Sequence, residues 1–256
     1  MDKLIFTSLL GSQRLDNPSR KLNNEIANIS TVGFKKSYVN VQTTMKLTGP
    51  GWDSRFLPSN VHTERVSLAP GQLMYTGSKM DIAMDGGTVL GVNAPNGELA
   101  FTRRGDLRVN AAGIVETGSG HAVRGENGPI SVPAGYLLEA TADGSVYATN
   151  PNRAQGDPGP VLVGRMMLRD ASDVSLERRT DGLFKALGDT VREDGDFPNG
   201  RGQIALTVGA LEGSNVTAYE AMVRLVDLTR AYENNVKIIK EMKSLDESGT
   251  SMMRSS

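Results

Sequence analysis

The stretch "EGSNVTAYEAMVRLVDLTRAYENNVKIIK", Glu212 to Lys240, constrains the fold more than any other part of the chain. Thr217 and Glu220 have the spacing of a capping box, in which the hydroxyl accepts from the third helical amide and the carboxylate reaches back to the cap amide, so a helix is predicted to start at Thr217. Beyond it Leu225, Leu228, Tyr232, Ile239 and Met242 fall at heptad a and d spacings, with Asn235 at the remaining d position and Val236 beside it. An apolar stripe about six turns long has to be covered by something.

The only comparable helical pattern lies at the other end. Ile5, Ser8, Ser12, Leu15, Ser19, Leu22, Ile26 and Ile29 recur at steps of three and four, giving a seam with serines in its middle. Pro18 lacks an amide donor and its ring crowds the preceding turn, so a kink or break is predicted there, with Asn17 able to cap a fresh helix. Gly33, in "STVGFKKS", is free to take positive φ and end the segment. The two ends are expected to pair with each other, or each with other copies. Periodicity alone equally permits helices that complete the core of one domain.

Between the ends the signals change to period two. In "LRVNAAGIVE", Leu107 and Val109 alternate before a glycine turn and Ile114 and Val115 follow, the pattern of a hairpin. "GPISVPAG", "LLEATADGSVYAT" and "PVLVGRMML" repeat the theme, and 29 glycines suit many turns. The segment from Thr43 to Val66 and "DTVREDGDFPNGRGQ" lack clear periodicity and are expected to be loops or locally mobile. The expected fold is a mainly β middle domain with long N- and C-terminal α-helices pairing as a coiled-coil-like stem. Its parts are an N-terminal helical segment, 1–36, a β-rich domain, 37–209, and a C-terminal helical segment, 210–256.

Composition narrows the function classes. The 28 basic and 29 acidic residues leave a net charge of −1, with no excess of positive charge for nucleic acid. The absence of cysteine excludes disulfides, thiol catalysis and thiolate zinc sites. The opening "MDKLIFTSLLGSQRLDNPSRK" lacks the basic start, apolar run and small-residue site of a cleavable secretory signal, and no apolar run is long enough for a membrane-spanning helix. His62 and His121 have no metal-like spacing to carboxylates. "ETGSGHAVRGENG" lacks a complete dinucleotide or phosphate-loop fingerprint and reads as turn glycines. "RRGD", Arg103 to Asp106, reads as a turn with solvated charges, and Asp81 and Asp85 as turn carboxylates rather than an acid–base pair. No enzyme, cofactor, metal site or small-molecule substrate is expected.

Four stretches carry a family resemblance: "ANISTVGFKKS", "GSKMDIAMDGG", "GELAFTRRGDLRVNAAGIVETGSGHAVRGENGPISVP" and "LEGSNVTAYEAMVRLVDLTRAYENNVKII". Together they resemble the flagellar basal-body rod and hook family over nearly the whole chain. The opening "MDKLIF" and the modest length are most similar to its proximal rod members. The resemblance implies a structural axial component of the rod, polymerising through its terminal helices to transmit torque. It would be exported through the flagellar type III apparatus and would assemble in the periplasmic part of the basal body with other rod proteins and copies of itself. Asn24, Ala27, Asn28, Thr31, Gly33 and Phe34 match the N-terminal motif; Ser214, Asn215, Val216, Met222, Arg230, Tyr232 and Glu233 match the C-terminal one. Glu25 stands where a second asparagine usually falls, and Pro18 is atypical of the first helix.

From the stripes and the matched positions together, subunit contacts are expected at Leu15, Leu22, Asn24, Ile26, Asn28, Ile29, Gly33, Phe34, Asn215, Met222, Leu225, Leu228, Tyr232, Val236, Ile239 and Met242. Other readings are a distal rod or hook-type protein, a β-rich cell-wall-active enzyme lacking an evident carboxylate pair, and a soluble binding module with helical flanks.

Overall fold

Side chains on a strand leave alternate faces, and two neighbouring strands, Thr88–Asn93 and Leu99–Thr102, use this to build two cores at once. Leu90, Val92 and Ala100 enter one apolar cluster; Val89, Leu99 and Phe101 enter the other. The sheet is therefore covered on both faces. The structure is a computed structural model describing residues 2–39, 42–46, 56–60, 64–132, 135–151 and 159–254.

These strands lie within a seven-stranded sheet, ordered Ser37–Val39, Glu64–Val66, Ser175–Arg178, Phe184–Leu187, Leu99–Thr102, Thr88–Asn93, Leu168–Asp170. The hairpin expected around Gly113 is present: Leu107–Val109 pairs antiparallel with Val115–Thr117, and Gly113 takes φ +79° in the turn. Leu137–Ala140, Ser145–Thr149 and Val161–Arg165 form a three-stranded meander. Two further ribbons join distant segments, Ile82–Met84 with Leu206–Val208 and Leu73–Tyr75 with Ala210–Glu212.

The chain divides into two compact units. One contains Ile29–Tyr38 and Glu64–Asn215, and holds both apolar clusters. The other contains Met1–Asn28, Val39–Thr63 and Val216–Ser256. In it are α1 (Asp2–Ala27), α2 (Ala218–Arg254) and an antiparallel ribbon of Gln42–Lys46 with Phe56–Asn60. α2 starts as its sequence requires: Glu220 N donates to Thr217 Oγ1 at 3.4 Å and Ala221 N to Thr217 O at 3.0 Å.

Three expectations need correction. Among the described residues there are twenty strands and two helices, so the chain is mainly β rather than a β domain on a stem of two long helices wound as a coiled coil. The stripe on α2 is not a sealed seam: Leu225 and Tyr232 are exposed, as are Met222, Val223 and Val226, whereas Leu228, Asn235, Val236, Ile239 and Met242 are half-buried. Apolar side chains lie around more than one side of α2, and a coiled coil would need them gathered on one.

Secondly, of the kink or break predicted at Pro18, the break does not occur, and α1 runs on through it. Pro18 is exposed, so water can meet the carbonyl it leaves without a donor, and Arg20 Nε spans it to Asp16 Oδ2 at 3.0 Å. The side chains of Ile5, Ser8 and Ser12 lie outside what is described. Thirdly, the segment read as a loop from Thr43 contains the ribbon, with Thr44 opposite Pro58. A two-stranded ribbon has only edges, which is where a strand tolerates proline, and that proline is what disguised it.

Candidate functional site

Backbone pairing first brings the two sequence motifs together. Gly33 N donates to Glu212 O at 2.7 Å, and Asn215 N to Phe34 O at 3.2 Å. Asn215 completes the joint through its amide: Lys36 N donates to its Oδ1 at 2.6 Å, and its Nδ2 donates to Ser67 O at 3.0 Å and Ala69 O at 3.2 Å. One asparagine thus ties the chain after α1, the chain before α2 and the segment 67–69 into one clasp. Gly33 has φ +69°, and a Cβ there would stand 2.4 Å from Arg103 O, so both its conformation and the close approach require glycine.

Inside the clasp three charged side chains are closed off from water. Glu212 is 2% exposed and Arg103 1%. Lys35 Nζ donates to Glu212 Oε1 at 2.6 Å and to Ala69 O at 2.8 Å. Arg103 places Nε 2.9 Å and Nη2 2.8 Å from Glu212 Oε2, and its Nη1 donates to Gly86 O at 2.9 Å and Thr88 O at 2.7 Å. Gly71 N adds a further bond to Glu212 Oε1 at 2.9 Å. Arg178 covers the joint, donating to Lys35 O with its guanidinium 4.3 Å from the centre of the Phe34 ring.

Burial, reinforced by the Arg103 cation and opposed by Glu212, pushes the Lys35 amine down from 10.5 to about 8. Burial likewise lowers Arg103, against the pull of Glu212. Both carboxylate oxygens of Glu212 are engaged by donors, so the arrangement can lock backbone segments together but has no open position for a reacting group.

Sequence reasoning missed this cluster. Arg103, in a stretch that reads as a turn with solvated charges, is instead buried; only Arg104 behaves locally, bridging Asp106 at 2.6 Å. The available signal was register. Arg103 directly follows the buried run Leu99–Thr102, and Glu212 falls two residues after the buried Ala210, so strand alternation sends its side chain inward.

Of the residues expected at subunit contacts, the structure brings Gly33, Phe34 and Asn215 into the clasp, where they serve the chain's own closure. Asn24 and Asn28 meet each other at the end of α1, Asn28 Nδ2 lying 2.8 Å from Asn24 Oδ1. Leu22 is buried, and Leu15, Ile26 and Ile29 are half-buried. Glu25 is buried and reaches Arg224 of α2 at 3.5 Å. On α2, Leu228, Val236, Ile239 and Met242 are half-buried, whereas Met222 is 64% exposed, Tyr232 57%, and Leu225 also open to solvent.

The remaining candidates have local roles. Asp81 accepts from Thr76 Oγ1 at 2.6 Å and Asp85 from Thr207 Oγ1 at 3.1 Å, each holding a strand end. Gly120 and Gly128 turn the glycine-rich stretch at positive φ, and His121 O accepts from Thr117 N at 2.9 Å within that turn. His62 lies outside the described residues. "DTVREDGDFPNGRGQ" has no strand, but it is anchored: Phe197 is fully buried against Phe101, with ring centroids 4.9 Å apart, and Asp196 takes a forked contact from Arg169.

Comparison with known proteins places these features in context. Residues 207–252 match the family described as flagellar basal body rod FlgEFG protein C-terminal, and residues 83–148 the flagellar hook protein FlgE/F/G D1 domain. The chain is 34% identical over 241 residues to the flagellar basal-body rod protein FlgF of Salmonella typhimurium, covering 93% of each chain. It is 31% identical over 244 residues to the FlgF of Escherichia coli, covering 94% of each. The rod protein FlgG of Bacillus subtilis is 24% identical over 254 residues, 93% of this chain and 94% of the relative.

Proposed function

The chain belongs to the flagellar basal-body rod protein family, as a FlgF-like member, and from that premise we infer that it assembles with neighbouring rod subunits through the open side of α2. It is a structural component of the basal-body rod and not an enzyme. Assembly with other rod proteins and with copies of itself, after export through the flagellar type III apparatus, gives a torque-transmitting axial part in the periplasm.

The observation that carries the inference is the solvent exposure of large apolar side chains along one helix. Tyr219 is 81% exposed, and Met222, Val223, Leu225, Val226 and Tyr232 accompany it. Scattered surface apolar residues are ordinary, but six within about four turns are a surface that a partner would cover. Repeated heterologous contacts extend as helical filaments where the rotation between neighbours does not close. Leu22, Glu25 and the half-buried residues of α2 would support the helices, and Gly33, Phe34 and Asn215 would act through the clasp.

The test is sedimentation velocity of the full chain and of a Met222→Asp/Tyr232→Asp variant, alone and mixed with other rod proteins. Loss of association in the variant, with unchanged unfolding, supports the reading. Equal association of both chains sinks it. Point changes are preferable to deleting residues from 212 onward, since that deletion would also remove Glu212 from the buried cluster.

A further inference from the structure

Asparagine is followed directly by glycine at three places, Asn96–Gly97, Asn127–Gly128 and Asn199–Gly200. This dipeptide has a chemistry of its own, because asparagine is a labile residue and a following residue without a Cβ lets its backbone nitrogen approach the side-chain amide. Whether the two react depends on how the fold holds them.

Two of the three are held. Gly97 N donates to Ala94 O at 2.8 Å, and Asn96 Oδ1 accepts from Glu98 N at 3.2 Å and from Arg179 Nη2 at 3.4 Å. Gly200 N donates to Asp170 O at 3.0 Å, and Asn199 Oδ1 accepts from Asp170 N at 3.3 Å. In both, the nitrogen that would attack and the amide it would attack are bonded elsewhere. Asn127 differs. It is exposed at the tip of the hairpin that joins Arg124–Gly125 to Gly128–Pro129, and among the described residues its side chain makes no hydrogen bond. Gly128 pairs with Gly125, but the next residue, Pro129, has no N–H to extend the ladder. A Cβ at Gly128 would meet nothing within 4 Å, so the tip has room to change shape.

We propose that Asn127 is a self-modification site, converted without an enzyme into a mixture of aspartate and isoaspartate, with water as the only co-reactant. Gly128 N gives its proton to hydroxide and attacks Asn127 Cγ. The new C–N bond closes a five-membered succinimide, and the side-chain nitrogen takes a proton and leaves as ammonia. Water then adds to one of the two ring carbonyls. Cleavage of the bond from nitrogen to Cγ gives aspartate, and cleavage of the bond to the main-chain carbonyl carbon gives isoaspartate. The net change is one water taken up and one ammonia released, with nothing oxidised or reduced. The hairpin tip gains a negative charge and, in isoaspartate, a main chain longer by one carbon.

The test is a time course on the full-length protein in mildly alkaline buffer, folded and in concentrated urea. Proteolytic digestion and mass spectrometry then separate asparagine, aspartate and isoaspartate at each of the three sites. In the folded chain Asn127 should convert about tenfold or more faster than Asn96 and Asn199, since each of those must first give up the hydrogen bonds that hold it. In urea the three rates should converge. Conversion of Asn96 or Asn199 as fast as Asn127 in the folded chain overturns the proposal, as does a folded Asn127 that stays intact while its unfolded counterpart converts. The same preference persisting in urea also overturns it, because the selectivity would then come from the sequence and not from the fold. Aspartate without isoaspartate would show direct hydrolysis and overturn the succinimide route. Sedimentation of the α2 variant reads a different part of the chain, so failure of the assembly reading and failure of this site are distinguishable.

Discussion

Lys35 and Glu212, 177 positions apart, meet with Nζ 2.6 Å from Oε1 and both side chains withdrawn from water. This pair, shared with Arg103, holds the point where the chain enters and leaves the β-rich unit. Its energetic weight lies in asymmetry: an intact buried network is close to neutral against an apolar alternative, whereas a broken one leaves a charge stranded.

Glu212→Gln should therefore destabilise the β-rich unit by about 3–5 kcal/mol, since it strands two buried cations at once. Adding Lys35→Met to that variant should recover part of the loss by removing one of them. Urea unfolding followed by far-UV circular dichroism in the β-sheet band on the three chains gives the comparison. A loss below about 1 kcal/mol for Glu212→Gln would mean the cluster is open to water in solution.

The lysine also gives a pH signature. Its folded pKa, lowered to about 8, lies below the ordinary 10.5 of an unfolded lysine. Between those two values the unfolded chain holds more protons, so this group's contribution to stability is least favourable below about pH 8 and rises with pH up to about 10.5. The urea midpoint of the wild type relative to Lys35→Met should accordingly move in favour of the wild type between about pH 7.5 and about pH 10. A constant or falling difference would show that the amine is not desolvated.

Two glycines with the same conformation separate strain from crowding. Gly33 and Gly77 have φ +69° and +73°, but a Cβ at Gly33 would lie 2.4 Å from Arg103 O while one at Gly77 would meet nothing within 4 Å. Gly77→Ala should cost about 1–2 kcal/mol, the left-handed penalty alone. Gly33→Ala should cost clearly more, about 3 kcal/mol or above, because the clasp backbone has to shift as well. Equal changes in thermal midpoint would place the clasp elsewhere than at Gly33.

Much of the local structure was legible in the residues. Thr217 begins α2 because a hydroxyl at that spacing meets a helix amide, and Gly113 turns its hairpin because alternation stops on either side of it. The four motif stretches were enough for the family. Misreadings came where a local rule was overruled by surroundings: Pro18 inside a helix whose exposed side can be solvated, and Pro58 in a ribbon made only of edges. The heptad spacing on α2 was real, yet spacing records which side chains share a face, not which face another element covers.

By itself, then, the sequence determined whatever depends on neighbours within a few residues: caps, turns, strand alternation, and the motifs of the flagellar rod family. Only the tertiary structure decided that Asn215 closes on Lys36, Ser67 and Ala69, that Arg103 is buried on Glu212, and that Met222 and Tyr232 remain open. The reason is physical. A hydrogen-bonded turn is settled by the dihedral angles of a few residues, but the burial of a charge depends on which distant segment brings its counter-charge and excludes water, and no short-range pattern encodes that encounter.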